Sequence, residues 1–251
     1  MKLPFKINLE NKVCVVTGAG GVICSHLARA LAQCGAKVAL LDLNKDAAEV
    51  FAKEIREEGG IAYAYEANVL KKDSLEACHR EILKDLGKCD ILINGVGGNN
   101  PRATTDNEYA KLDDEVKGIK TFFDLDEAGV EFVFNLNFIG TLLPTQVFAC
   151  DMVGRQDCSI MNISSMNAFT PLTKIPAYSG AKAAISNFTK WLAVHFSHVG
   201  IRCNAIAPGF FVTKQNEKLL YNEDGTPTPR TGKILASTPC LLYTSDAADE
   251  L

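Results

Sequence analysis

The chain has 251 residues, of which 47% are hydrophobic and 22% charged, and its formal net charge is −4. This composition is that of a globular protein with a sizeable core, and the interspersed charges argue against a nucleic-acid or membrane-surface partner. No apolar stretch reads as a membrane span and the nine cysteines form no CxxC pair, so we expect a cytoplasmic protein with free thiols and no metal site.

Short apolar runs alternate with helical patterns along the first hundred residues. Four of these runs are predicted strands, at 13–17, 36–43, 61–69 and 89–96. The three helices predicted between them each end at a glycine, and they span 25–35, 45–59 and 73–87. The strands are too continuously apolar for one solvent-facing side, which indicates a parallel sheet that is buried on both faces. This alternation predicts an α/β fold, a Rossmann-type doubly wound parallel sheet with helices on both faces.

The second half of the chain continues the same pattern. A long helix is predicted near 126–153, and strand, helix and strand follow at 158–165, 178–200 and 201–208. The segment 99–129 is a long polar excursion that begins directly after the fourth predicted strand. Ligands of open α/β sheets bind at the carboxyl ends of the strands, so we expect this insertion to shape a substrate pocket.

The segment TGAGGVIC, residues 17–24, follows the first strand and resembles half of a dinucleotide-binding turn. Gly18 allows a tight turn that brings backbone amides close to a diphosphate at the next helix N-terminus. Asp42 ends the second strand, where a carboxylate accepts hydrogen bonds from ribose hydroxyls and repels a 2′-phosphate, which favours NAD over NADP. The alternative is an ordinary strand–helix turn with Asp42 as a strand-end cap.

Four residues further along the chain carry groups suited to proton transfer. Tyr178 and Lys182 lie one helical turn apart and so share a face, Ser165 ends a predicted strand, and Asn137 lies in the long helix. The tyrosine–lysine pair alone would be an ordinary exposed helix face. Together with the glycine turn, with NGVG at 94–97 and with IRCNAIAPGFFVT at 201–213, the pattern resembles the short-chain dehydrogenase/reductase family.

The resemblance implies a reaction and a role for each of these residues. Tyr178 would be the acid/base, Ser165 would hydrogen-bond the carbonyl oxygen, and Lys182 would hold the nicotinamide ribose. Because a free tyrosine titrates near pH ~10, we expect the Lys182 ammonium to lower the pKa of Tyr178. Asn137 would position a water that links the lysine to solvent; a helix-kink residue bonded to backbone is the alternative, and both roles are compatible.

NAD is the expected cofactor, and the family pattern assigns its contacts. Val22 and Cys24 stand at the second and third glycine positions of the usual turn; Gly20 and Gly21 can supply the missing backbone freedom, and Cys24 is small enough for close helix–strand packing. The expected cofactor-binding residues are Thr17, Gly18, Gly20, Gly21, Val22, Ile23, Asp42, Asn68, Val69, Asn94, Gly95, Tyr178, Lys182, Pro208, Gly209 and Thr213.

Within the family, the chain is similar to bacterial D-mannonate oxidoreductases, also called fructuronate reductases. The similarity rests on the turn, on NGVGGNNPRATT, on the 99–129 insertion and on residues 208–235, a predicted lid. It implies a small sugar-acid substrate, D-mannonate or D-fructuronate, contacted by Asn99, Asn100, Arg102, Asn167 and Lys214. Other NAD-linked sugar or polyol dehydrogenases, a 3-oxoacyl reductase and a cofactor-binding protein without turnover remain alternatives.

The resemblance extends over about residues 1–239, which we expect to form a single domain. Beyond it the family pattern predicts a helix, a last parallel strand and a glycine-rich segment, whereas residues 240–251 read CLLYTSDAADEL. We expect this tail to be non-native, similar to a translated sequencing adapter, and the last strand to be missing; a genuine short C-terminus is the alternative. The dimer or tetramer typical of the family would then assemble less well.

Overall fold

The computed structural model describes residues 7–210 and 220–236, and the chain separates into two compact units. The larger unit is Ile7–Ala207. The smaller unit comprises Met1–Lys6 and Pro208–Leu251, of which 208–210 and 220–236 are described. The single domain expected for 1–239 stays a prediction, and the unusual tail at 240–251 lies outside the described residues.

The larger unit is built on a six-stranded sheet in which every pairing is parallel. Its strands are β1 (Val13–Thr17), β2 (Lys37–Asp42), β3 (Ile61–Glu66), β4 (Ile91–Asn94), β5 (Cys158–Ile163) and β6 (Ile201–Ile206). The spatial order β3-β2-β1-β4-β5-β6 reverses direction beside β1, so β1 and β4 flank the switch point where this fold binds ligands. The predicted doubly wound sheet is confirmed.

Helices connect the strands, and six lie in the larger unit. They are α1 (Val22–Gln33), α2 (Lys45–Glu57), α3 (Lys72–Asp85), α4 (Glu127–Phe134), α5 (Gly140–Phe148) and α6 (Pro176–His195). The first helix starts three residues before its predicted start, because Gly21 already serves as its N-cap. The last one ends at His195, five residues before the predicted end.

Two hydrophobic clusters fill the space on the two sides of the sheet. One contains alanines and Ile55 from α1 and α2, and the other contains Leu75 and Ile82 from α3 with Phe148 from α5. The edge strands do not fit the predicted two-sided burial, since Ile61 and Tyr63 of β3 are about half exposed. An edge strand has a neighbour on one side only, and β3 packs mainly against the single helix α2.

A continuous helical run over Glu127–Asp151 contains α4 and α5, joined by a π-helical turn at Asn135–Ile139. By length and composition alone this run could cross a membrane, which corrects the expectation that no stretch is long enough. Half of its most apolar 18-residue window is buried inside the protein, however. The run therefore has the properties of a core helix that packs beside the sheet.

The described part of the smaller unit is short. An antiparallel bridge joins Tyr221 to Pro227, and a helix, α7 (Pro229–Ala236), follows it. Pro208 and Gly209 belong to this unit, whereas Thr213 and Lys214 lie outside the described residues. The cofactor, substrate and lid roles expected for this region therefore stay predictions.

Candidate active site

The turn after β1 depends on glycine for two reasons. Gly18 has a φ of +68°, which L side chains rarely adopt, and a Cβ there would lie 3.2 Å from the backbone nitrogen of Val96. The Gly21 amide closes the turn by donating to the Gly18 carbonyl at 3.0 Å. The turn consequently lies directly against the loop that leaves β4.

Helix α1 starts from this turn with an open N-terminus. Its N-cap, Gly21, supplies no side-chain hydrogen bond, and its first turn contains no acidic residue. The first amides of a helix have no acceptor within the helix, and the helix dipole favours an anion there. The Val22 side chain is 40% exposed, so it is not buried across the N-terminus of the helix. The start of α1 therefore fits a diphosphate.

Asp42 is held at the end of β2 by backbone amides. Its Oδ2 accepts from the Gly20 amide and its Oδ1 from the Asn44 amide, both at 3.0 Å. The alternative role as a strand-end cap is thus observed, and the same contact fixes the glycine turn. Each carboxylate oxygen has a further lone pair, which leaves capacity for a ribose hydroxyl.

Thr17 and Asn94 end the adjacent strands β1 and β4, and both side chains are buried. The Thr17 hydroxyl accepts from the Gly95 amide at 3.1 Å, and the Asn94 amide group donates to Thr145 Oγ1 and Asn162 Oδ1, both at 2.9 Å. These contacts support the turn and the centre of the sheet, as expected of the NGVG segment. Direct cofactor contacts of Thr17, Asn94 and Gly95 stay predictions.

Asn68 and Val69 follow β3. Asn68 Oδ1 accepts from the Leu70 amide at 3.0 Å, so this side chain shapes its own loop. Val69 is buried, and a Cβ on Gly140 would lie 3.2 Å from its Cγ2. The loop is therefore fixed against the start of α5, and the expected adenine contact stays a prediction.

Helix α6 positions Tyr178 and Lys182 one turn apart, as predicted. Lys182 is 3% exposed, its Nζ donates to the Ile163 carbonyl at 2.8 Å, and Nζ lies 5.7 Å from the Tyr178 ring centroid. Burial lowers the pKa of Lys182 from 10.5 to about 8, because an ammonium ion is poorly solvated there. The lysine is thus fixed between β5 and the tyrosine.

The expected lowering of the Tyr178 pKa is wrong. Burial raises the pKa of Tyr178 above its ordinary value, and a hydrogen bond with Ser165 only partly opposes this shift. The ammonium of Lys182 donates to the Ile163 carbonyl, and its charge is not among the causes that shift the pKa of Tyr178. Tyr178 is consequently a neutral phenol near neutral pH, poised to donate a proton.

Ser165 follows β5 and reaches Tyr178 through that hydrogen bond. Its Oγ also accepts from the Asn167 amide at 3.2 Å, in the short 3₁₀ turn Met166–Ala168. Asn167 is buried, and its Oδ1 has no hydrogen-bond partner within the described chain. A buried carbonyl oxygen without a donor is costly, which makes Asn167 the most suitable of the expected substrate residues.

Asn137 lies in the π-helical turn between α4 and α5 and is fully buried. Its Nδ2 donates to the carbonyls of Val133 and Gly98 at 2.7 and 2.8 Å, and its Oδ1 accepts from the Gly98 amide at 3.3 Å. The alternative role at a helix irregularity is therefore observed. The water-positioning role stays a prediction.

Gly97 was not among the expected site residues, although it lies in the NGVG segment. A Cβ on Gly97 would lie 2.6 Å from Asn137 Oδ1 and 2.9 Å from Lys182 Nζ. The loop after β4 must therefore lack a side chain there for these two groups to converge. The sequence signal was the glycine itself.

The polar groups of the insertion after β4 bond to one another. Arg102 pairs with Asp126 at 2.7 Å, and Asn99 donates to Thr104 Oγ1 at 2.9 Å. Asn100 Oδ1 accepts from the Arg102 amide at 2.9 Å and caps a 3₁₀ turn. Arg102 is thus not a free cation awaiting a carboxylate, and a substrate would have to compete with Asp126.

The insertion is also less polar on its surface than its composition suggested. Five large apolar or aromatic side chains in it are well exposed: Tyr109, Leu112, Val116, Phe122 and Phe123. Asp114, in contrast, is buried and accepts from Asn107 Nδ2 at 2.8 Å and from the Lys111 amide at 2.9 Å. Buried polar contacts therefore shape this segment, while its apolar groups face solvent.

One group outside this region has the spacing of metal ligands. Ligand atoms of His79, Cys150 and Asp151 lie within 4.8 Å of one another. Asp151 Oδ2 already accepts from His79 Nε2 at 2.8 Å and from the Cys89 amide at 3.0 Å. These two hydrogen bonds satisfy the Asp151 carboxylate oxygen without a metal ion.

Comparison with known proteins gives the family. The family model for short chain dehydrogenases matches residues 12–224. The chain belongs to this family. An uncharacterised oxidoreductase of Haemophilus influenzae is 62% identical over 239 residues, which cover 95% of this chain and 84% of that protein. The sequence prediction of an oxidoreductase of this family is confirmed.

Two solved structures extend the comparison. A Haemophilus influenzae protein assigned as a D-mannonate oxidoreductase, with NAD bound, is 59% identical; the match has a TM-score of 0.89 and covers 96% of this chain and 90% of that one. A xylitol dehydrogenase with bound NAD+ is 25% identical, with a TM-score of 0.78 and coverage of 92% and 86%. NAD in both relatives agrees with the predicted cofactor.

Proposed function

We propose that this protein is an NAD-dependent oxidoreductase that interconverts the alcohol and ketone of a sugar acid, specifically D-mannonate and D-fructuronate. The observation that carries the proposal is the 59% identity, over 96% of the chain, to the NAD-bound protein assigned as a D-mannonate oxidoreductase. At this level of identity the residues that shape a substrate site are commonly shared, whereas the fold alone would not specify a substrate.

The turn and α1 would hold the cofactor. NAD, when bound, supplies the group that takes hydride from the alcohol carbon or returns it to the ketone. The uncapped N-terminus of α1 would bind its diphosphate, and Asp42 its adenosine ribose, for which the carboxylate is already oriented by two amides. The same carboxylate would repel the 2′-phosphate of NADP.

Proton transfer would use Tyr178. Its raised pKa keeps the phenol protonated near neutral pH, so the hydroxyl can donate to the ketone oxygen as negative charge develops there. Ser165, in hydrogen-bond contact with Tyr178, would donate to the same oxygen. Lys182 would orient the nicotinamide ribose from its position on the Ile163 carbonyl.

Asn167 would provide the first substrate contact beyond the reacting oxygen. Its unpartnered Oδ1 and its place two residues after Ser165 suit a hydroxyl on the carbon next to the ketone. Asn99, Asn100 and Arg102 would contact the rest of the substrate, with Arg102 moving from Asp126 to the substrate carboxylate. Such an exchange keeps the guanidinium paired and needs no new buried charge.

A nicotinamide absorbance assay tests the proposal. Purified protein with D-mannonate and NAD+, or with D-fructuronate and NADH, should show turnover that Tyr178→Phe lowers by about 10²–10⁴-fold and that NADP(H) supports poorly. A panel of other hexonates, hexuronates, polyols and a 3-oxoacyl thioester is measured in parallel. Turnover confined to another compound would replace the substrate assignment, and NADH binding without any turnover would indicate a binding protein.

A polyol dehydrogenase is the second candidate. The similarity to the NAD+-bound xylitol dehydrogenase favours it, since that protein's substrate also carries a hydroxyl beside the reacting carbon. A polyol has no carboxylate, so an enzyme of this kind would leave Arg102 on Asp126. Arg102→Gln would then leave kcat/KM unchanged, whereas for a sugar acid it should raise KM.

The setting of the enzyme is proposed from its surface and its thiols. The eight cysteines that the structure describes are all free, which suits a reducing cytoplasm. Trp191 and Val194 of α6 and Phe132 of α4 are exposed by about half or more, which suits the homo-oligomer typical of the family. Light scattering would measure the oligomer size, and a monomer at micromolar concentration would contradict the assembly.

A further inference from the structure

Cys24 and Gly95 occupy the same space between α1 and the loop after β4. A Cβ on Gly95 would lie 2.0 Å from Cys24 Sγ, which is far inside van der Waals contact. Cys24 is 4% exposed, so its thiol cannot simply rotate into solvent. The Cys24 thiol therefore excludes even a methyl group at position 95.

The same point of contact reaches the glycine turn. The Gly95 amide donates to Thr17 Oγ1 at 3.1 Å, and a Cβ on Gly18 would lie 3.3 Å from the Gly95 carbonyl carbon. Any displacement of Gly95 is consequently passed to Thr17 and Gly18. Packed backbone at such distances has no slack to absorb an added group.

The loop that holds Gly95 also faces the catalytic side. Two residues further on, a Cβ on Gly97 would lie 2.9 Å from Lys182 Nζ. One short loop thus contacts the helix α1 through Cys24, the turn through Gly18 and the catalytic lysine at Gly97.

We propose that Cys24 and Gly95 are a pair of positioning residues that fixes the distance between the diphosphate-binding turn and the catalytic lysine. The family pattern has glycine at position 24, where it lets helix and strand approach closely. In this chain a glycine stands at position 95 instead, and the Cys24 thiol fills the space that a side chain at position 95 would occupy. The inference rests on the proposed binding of NAD by the turn.

A rescue experiment with a second substitution tests the pair. Gly95→Ala places a methyl group against Cys24 Sγ, whereas in the double variant Cys24→Ala/Gly95→Ala the two Cβ atoms would lie 3.6 Å apart, in ordinary contact. A contact of 2.9 Å between the Cβ at position 95 and the Thr17 carbonyl oxygen remains in both variants, so recovery should be partial. Cys78→Ala, which removes a buried thiol from α3, is the matched control.

The measured quantities are KM for NAD+, kcat and the dissociation constant of NADH from its fluorescence. Gly95→Ala should weaken NADH binding and raise KM by about tenfold or more, because the turn moves relative to the rest of the site. The double variant should bind NADH at least about threefold more tightly than Gly95→Ala, and Cys78→Ala should stay within about twofold of the parent protein, although the double variant and Cys78→Ala each lose some thermal stability. A purely structural clash would lower the thermal stability of Gly95→Ala without a tenfold loss of NADH affinity.

Each outcome decides the inference. If Gly95→Ala binds NADH as the parent does, or if the double variant is no better than Gly95→Ala, the pair is not a positioning device. If Gly95→Ala fails to fold, a folded, NADH-binding double variant supports the inference and an unfolded one overturns it. A parent protein that binds no NADH refutes the proposed function itself, which is a separate result.

Discussion

Lys182→Met should make the protein more stable at neutral pH while abolishing turnover. Lys182 is 3% exposed, and its pKa falls from 10.5 to about 8 on folding. At 1.36 kcal/mol per pKa unit, this shift means that the buried ammonium costs about 3 kcal/mol below pH 8. Removing it leaves the Ile163 carbonyl without this donor, at a cost of about 1 kcal/mol. The expected net gain at pH 7 is about 2 kcal/mol.

The pH dependence separates this cause from ordinary repacking. Between pH 8 and 10.5 the unfolded chain still holds a proton on Lys182 that the native chain has released, so this residue makes the parent more stable as pH rises. Lys182→Met lacks that gain. Its advantage over the parent should therefore shrink by about 2 kcal/mol between pH 7 and pH 9.5.

Urea unfolding, followed by the fluorescence of the single tryptophan, Trp191, measures both quantities. Lys190→Met, which removes an exposed lysine from the same helix, is the control and should change neither stability nor its pH dependence. A Lys182→Met protein that is less stable than the parent at pH 7, or whose advantage is the same at both pH values, would refute the reasoning.

Four further outcomes are expected. Tyr178→Phe should lower kcat by about 10²–10⁴-fold with little change in NADH affinity, and equal losses of both would argue against an acid/base role. Alcohol oxidation by the parent should speed up as pH rises above neutrality, since the raised pKa of Tyr178 leaves little phenolate at pH 7; a flat profile of kcat would contradict this. Asp42→Ala should reduce the preference for NAD+ over NADP+ in kcat/KM, and an unchanged ratio would remove its assigned role. Asn94→Leu should lower the free energy of unfolding by about 2 kcal/mol or more in urea titration, because Asn162 Oδ1 loses its donor.

The sequence by itself determined the layout of the sheet and the pairing of Tyr178 with Lys182. Apolar runs and glycine-ended helical periods report burial and local conformation, which neighbouring residues largely fix, so the strands and most helices were predicted to within a few residues. Tyr178 and Lys182 were paired correctly because helical periodicity alone brings residues four apart onto one face. Gly18 was recognisable because few other residues tolerate its backbone angle.

Only the tertiary structure decided the contacts between distant segments. The packing of distant segments brings together three pairs of residues. They are Lys182 with the Ile163 carbonyl, Arg102 with Asp126, and Cys24 with Gly95. No local pattern encodes such distances, and burial reversed the expected direction of the Tyr178 pKa for the same reason. The sequence predicts which groups react, while packing sets their distances, their solvation and hence their protonation.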